Sequence, residues 1–197
     1  KSKKIPVRAQ KDWEEHLRQE FESQIEQEPH YFKTIEVGGM SETELIDQLE
    51  RDGFKISDTA RFLLQSNDFK RSIRIEDKTE SDIDKWKLKP KEKLHLINIS
   101  VKDLGFPDGA TIEQIYNKAL ELGYELCPPE VGPYLRIQHK DQPMNEWLRV
   151  SMKQIADRDG DPRVFGVGRE DGGSWLDEDW AEPADRWSPG NEFVFRL

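Results

Sequence analysis

Leu94-His95-Leu96-Ile97-Asn98-Ile99-Ser100-Val101 is the stretch on which the fold turns, the strongest strand signal in the first half of the chain. Just beyond it, Phe106-Pro107-Asp108-Gly109 marks a turn, and Thr111 is placed to cap a helix. That helix carries Ile112, Ile115, Tyr116, Ala119 and Leu122 on one face and stops at Gly123. Residues 125–133 read as a rigid loop, because three prolines fix their own φ and restrict their predecessors. After the loop the period becomes two, which predicts strands over 134–139, 147–155, 163–168 and 192–196. The joining turns fall at 141–145 and 157–162, and residues 172–180 read as a Trp-rich loop running on to Gly190. The expected class is α+β: an N-terminal helical region, then an antiparallel β-sheet or small barrel with the 111–122 helix packed on it.

Working back toward the N-terminus, a helix is predicted around 11–28. Trp13, Leu17, Phe21 and Ile25 form a narrow apolar stripe among glutamates, and Pro29 ends it. Residues 31–37 read as extended up to Gly38-Gly39. Ser41 and Glu44 form a capping box ahead of Leu45, Ile46 and Leu49, with Gly53 as the stop. A second start at Ser57-Asp58 buries Ala60, Leu63 and Leu64, and Phe69 closes the unit. The pair has helix-turn-helix dimensions, but Asp58 and Asp68 beside Arg61 and Gln65 argue against DNA reading. The domain expectation is 1–69 helical, 70–93 a charged linker or surface arm, and 94–197 an α+β domain.

Charged residues make up 36% of the 197, hydrophobic ones 35%, and the net charge is −10. Such polarity borders on disorder, yet six of the residues are Trp, which a disordered chain rarely carries. No apolar run reaches the roughly 18 residues of a membrane span. Lys1–Lys4 lead into Gln10, Lys11 and Asp12, without the apolar core of a signal peptide. The expected location is cytoplasmic. A single cysteine, Cys127, excludes an internal disulfide framework and a Cys-rich zinc site. The balance is +4 over 1–12, −9 over 13–50, +3 over 51–100, −3 over 101–150 and −5 over 151–197. With no broad basic face, duplex nucleic acid is not an expected partner. The lysines of 85–93 around Trp86 and Pro90 read as a solvated linker or protected edge more readily than as a strip for single strands.

Catalytic and metal motifs fail one by one. Asp157-Arg158-Asp159-Gly160-Asp161 opens like a calcium loop, but position six is Pro162 and position twelve Gly168, so a hairpin turn is expected. His16, His30, His95 and His139 lack zinc spacing, Cys127 has no activating helix start for a pairing with His139, and Ser174 lacks a nucleophile elbow. Neither phosphate-binding glycine loop occurs. No cofactor or metal is expected.

The stretch Glu125-Leu126-Cys127-Pro128-Pro129-Glu130-Val131-Gly132-Pro133-Tyr134-Leu135-Arg136, followed by Asp141-Gln142-Pro143, resembles a pattern in uncharacterised bacterial proteins. The ending Trp187-Ser188-Pro189-Gly190-Asn191-Glu192-Phe193-Val194-Phe195 resembles the same group. The resemblance covers the last half of the chain and implies a bacterial cytoplasmic setting, with no activity attached.

Three functional expectations follow. The first is a non-enzymatic binding protein whose expected partner is another protein, a basic one. It would use the N-terminal helices and an acidic, Trp-framed surface of Trp175, Asp177, Glu178, Asp179, Trp180 and Trp187. The second is a small hydrolase or toxin-like enzyme with a pocket beside the 128–133 loop, drawing on Glu125, Glu130, Tyr134, Arg136 and His139. The third is an acidic mimic of nucleic acid.

Overall fold

In the computed structural model the backbone is described for residues 7–197, and side chains from Trp13 onward. The basic start at Lys1–Lys4 lies outside the described residues. The chain divides into two compact units, Lys1–Tyr31 and Phe32–Leu197.

The first unit is helix α1, Val7–Ile25. It begins four residues earlier than periodicity predicts, and it ends before Pro29 in a turn where the Glu28 amide donates to the Ile25 carbonyl at 3.0 Å. Proline restricts the residue before it, so the helix unwinds ahead of it.

The second unit is built on an open eight-stranded sheet in the order β1-β3-β10-β5-β7-β8-β2, with β6 added to β7. The strands are β1 Tyr31–Val37, β2 Lys55–Ile56, β3 Glu92–Ser100, β5 Trp147–Val150, β6 Ile155–Ala156, β7 Pro162–Glu170, β8 Gly173–Trp180 and β10 Glu192–Arg196. A separate two-stranded piece joins β4, Ala110–Thr111, to β9, Arg186–Trp187. The α+β class holds, while the barrel alternative does not, because the sheet stays open. The sheet is also mixed: β10–β5 and β2–β8 are parallel among mostly antiparallel neighbours.

The helices are α2 Glu42–Arg51, α3 Asp58–Gln65, α4 Asn67–Ser72, α5 Ile112–Glu121 and α6 Val131–Gln138. Capping boxes start α2 at Ser41 and α5 at Thr111, and the Ser57 hydroxyl caps α3. Strand alternation then assigns the two faces. Phe165, Val167 and Leu176 point toward α2, α3, α4 and α6, and the Phe69 and Phe165 rings meet edge-on at 5.9 Å. On the opposite face Ile97, Ile99, Phe193 and Phe195 pack under Ile115 and Ala119 of α5.

Two segments depart from the sequence expectation. Residues 134–139, expected as a strand, are the body of α6. Pro133 sits in the first helical turn, where its missing N–H forfeits no intrahelical bond, so the proline-rich loop is in fact a helix start. Val131, Tyr134, Leu135 and Arg136 are all buried, which blurs the 3.6-residue period. Residues 173–180, expected as a loop, are β8, paired with β7 over eight residues. The connection is Asp171-Gly172, a two-residue hairpin signal that the surrounding acids disguise.

Residues 70–93, expected as a linker or arm, contain the end of α4 and a short 3-10 turn at Ile83–Lys85. Arg74 and Leu88 form an antiparallel bridge, and the Arg74 side chain is buried against Glu42 at 2.8 Å.

Candidate functional site

Helix α5 lies over the β3–β10 part of its face. On the same face, the β5–β7–β8 part is built from two cross-strand rows. Trp147, Gly168 and Trp175 stand in register in one; Arg149, Gly166 and Asp177 form the other. Glycine in the middle strand leaves a trough one strand wide, which two side chains occupy. The Trp147 ring lies over Gly168, so that a Cβ there would meet ring atoms at 2.3 Å. Asp179 reaches across Gly166 to Arg149, with Oδ2 3.2 Å from Nε. The result is a surface of half-buried Trp147, Arg149, Trp175, Asp177 and Asp179. Trp187 of β9 flanks it, its ring 5.1 Å from Phe193 and 5.7 Å from the Arg149 guanidinium.

The six residues expected to form one Trp-framed patch divide between two faces. Successive side chains of a strand alternate. Trp175, Asp177 and Asp179 therefore share the open face with Trp187, while Glu178 and Trp180 project on the helix-bearing side. There the Arg163 guanidinium lies 4.3 Å from the Trp180 ring and 3.2 Å from the Glu178 carboxylate. Three tryptophans have a cation of this chain against them, Lys55 for Trp175 at 5.0 Å, Arg149 for Trp187 and Arg163 for Trp180. Burial raises the Asp179 carboxyl above its ordinary value; Arg149 opposes the shift and Asp177 adds to it. Burial raises Glu178 as well, against Arg163. Asp177 accepts from the Glu178 amide and makes no ion pair among the described residues. The sequence reading missed Trp147, Arg149, Gly166 and Gly168. Their signal was available as two alternating pairs, Trp147 with Arg149 and Gly166 with Gly168, that become neighbours only once strand register is known.

The five residues of the alternative pocket fall in three places. Glu125 bridges to Arg196, both through the backbone and through an ion pair. Glu130 and Tyr134 sit one helical turn apart beside Gly38, whose carbonyl accepts from the Tyr134 hydroxyl at 2.6 Å. Burial lifts the Glu130 carboxyl to about 7; Lys89 opposes, Glu92 reinforces and the Gly38 amide opposes. One Glu130 oxygen, Oε2, is buried without a hydrogen-bond partner. Arg136 is fully buried and donates to the Gln142 side chain and to the carbonyls of Gly168 and His139, with the Phe54 ring 4.8 Å away.

His139 lies between Lys33, Asp141 and Glu146. Lysine can only donate, so Nδ1 accepts from Lys33 Nζ at 3.0 Å and Nε2–H donates to Glu146 at 3.1 Å. Lys33 also donates to the Gln138 carbonyl at 3.4 Å and to Asp141 at 3.2 Å. It is thus a three-fold satisfied ammonium at the C-terminus of α6, a capping arrangement. Burial pushes the Cys127 thiol far above its ordinary value, so it is no nucleophile at neutral pH.

Asp157, Asp159 and Asp161 place carboxylate oxygens within 4.8 Å of one another at the β6–β7 turn, the strongest cation candidate among the described residues. Asp157 already accepts from the amides of Asp159 and Asp161 and from Arg163 Nε at 2.8 Å. Burial works against its charge, but these bonds outweigh burial and leave its carboxyl below the ordinary value. Arg163 thus already neutralises Asp157, one of the three carboxylates.

Comparison with known protein families, with curated proteins and with solved structures finds no match to this chain. Among the described residues no helix is long and apolar enough to cross a membrane.

Proposed function

We propose that this is a cytoplasmic, non-enzymatic binding protein, of bacterial type by its resemblance. Its contact surface is the β5–β7–β8 half of the sheet, presented to another protein. The supporting observation is the glycine-floored row Trp147–Gly168–Trp175 beside Arg149–Asp179, where large aromatic groups stay half-exposed although the rest of that face is packed under α5. Aromatic residues with an arginine are the side chains that carry most protein–protein binding energy. Asp177, a carboxylate without an ion pair among the described residues, favours a partner that brings a lysine or arginine to that point.

The hydrolase alternative has less support, because its five residues fall in three separate places, with Glu125 paired to Arg196, Tyr134 bonded to the Gly38 carbonyl and Arg136 to the carbonyl of His139. Nucleic-acid mimicry needs a continuous acidic field; here the β8 acids are divided between two faces and two of them pair with arginine.

The test is recovery of a partner by the immobilised full chain from lysate of its source cells. Trp175→Ala with Asp177→Lys is expected to lose the partner while retaining the wild-type melting curve. Glu178→Gln with Trp180→Ala, on the other face of the same strand, is expected to keep it. Equal recovery by both double variants would overturn the proposal.

A further inference from the structure

Beside α4, three segments far apart in sequence close a recess of about 310 Å³. Asp68 and Arg71 line it from α4, Pro129 from the segment ahead of α6, and Lys153, Gln154 and Ile155 from the chain entering β6. We propose that this recess binds a small organic carboxylate, its head group on Arg71 and Lys153 and its apolar body on Pro129 and Ile155. None of these residues belongs to the surface proposed for a protein partner, so the two proposals stand or fall separately.

The bases of α4 differ in what they meet. Lys70 lies 2.8 Å from Asp84 and Arg74 2.8 Å from Glu42, so this chain neutralises both. Arg71 has only Asp68, at 3.9 Å across an exposed helical turn, a loose pair that water largely screens. Nor is Arg71 needed to close the helix. The Ile73 amide donates to the carbonyls of Phe69 and Arg71, and the Ser72 hydroxyl donates to Phe69 as well. Lys153 makes no ion pair among the described residues. With Asp68 set against Arg71 and Lys153, the lining carries +1 in a chain of −10, the charge that one carboxylate balances.

Head-group chemistry points the same way. The planar guanidinium fork of Arg71 matches the two oxygens of a carboxylate, and Lys153 adds a point charge. Gln154, which makes no hydrogen bond among the described residues, supplies an amide donor beside them. A phosphomonoester brings nearly two negative charges, more than the lining balances while Asp68 remains. A bare inorganic anion makes no use of Pro129 and Ile155, whose apolar surface suits a hydrocarbon body. The volume lies at the small end of the range for ligand pockets, which favours a molecule of benzoate size over a nucleotide.

Benzoate is the probe, titrated into the full isotope-labelled chain so that the amide spectrum reports place and affinity together. Shifts confined to residues 71 and 153–155 and their neighbours are expected, saturating below about 10 mM. Lys153→Glu should weaken binding about ten-fold or more, and Arg71→Gln repeats the test from the other side of the recess. Asp68→Asn, which removes the carboxylate competing for Arg71, should tighten binding roughly two- to five-fold. All three side chains are exposed, and the same spectrum shows that each variant keeps its fold. Benzyl alcohol, which lacks the charge, and acetate, which lacks the ring, should each bind about ten-fold more weakly. Shifts that never saturate, shifts spread over remote lysines, inorganic phosphate or benzyl alcohol binding as tightly as benzoate, or unchanged affinity in both Lys153→Glu and Arg71→Gln would each overturn the proposal.

Discussion

Glu130 shows how one residue can make the whole protein sensitive to pH. Its side chain is 1% exposed, and burial lifts its carboxyl from 4.5 to about 7. Between those values the folded chain holds a proton that the unfolded chain has released. Stability therefore falls as pH rises from 4.5 toward 7, by about 3 kcal/mol in all. Urea unfolding from pH 4.5 to 8 is expected to show that decline in the wild type. Glu130→Gln, which imitates the neutral form, should flatten it and be the more stable protein at pH 8. Gly168 is a second residue-scale case: a Cβ there would strike the Trp147 ring at 2.3 Å, whereas one at Gly190 meets nothing within 4 Å. Gly168→Ala should lose about 1–3 kcal/mol and shift the tryptophan emission, while Gly190→Ala stays within about 0.5 kcal/mol. Neither effect is legible in sequence. Glu130 looks like any surface acid in a proline-rich loop, and Gly168 like a break in a strand, until register places Trp147 beside it.

At the scale of elements, α6 both covers one face of the sheet and guards its edge. Strand β1 ends the sheet order, and the Gln138 side chain pairs with it as a strand would: it accepts from the Glu36 amide at 3.0 Å and donates to the Glu36 carbonyl at 2.8 Å. An open edge invites pairing with other chains. Gln138→Ala should speed amide hydrogen exchange at Glu36 and increase aggregation on heating, with unchanged exchange in β7. Elements with local signals were legible: the capping box at Ser41 and the helix cap at Thr111 stand where the sequence puts them, and the strand expected over 94–101 spans Glu92–Ser100. Elements whose signals are tertiary were not. Helix α6 is buried on several sides and begins with prolines, so its period is hidden. Strand β8 tolerates its acids because two of its three carboxylates, Asp179 and Glu178, are held by Arg149 and Arg163, partners supplied by β5 and β7.

Across the whole molecule, the charge of −10 is distributed in a way that bears on partners more than on folding. One acidic concentration surrounds the apolar stripe of α1; another lies along β8, divided by strand alternation into an open face and a helix-bearing face. The sequence located the Trp-rich acidic segment but could not divide it, since that division depends on recognising a strand where the composition suggests a loop. The α+β class was legible because capped helices and alternating strands are local. The mixed topology, with β10 inserted between β3 and β5, rests on long-range pairings, from 44 positions apart at Glu192–Leu148 to 100 at Arg196–Leu96. The central claim, that the open half of the sheet is the contact surface, is tested most directly by a photo-cross-linker placed in turn at each position from 174 to 180 in the full chain. The account predicts adducts with one partner protein at 175 and 177 and none at 176, 178 or 180. Adducts at 178 and 180 instead, or at every position alike, would contradict it.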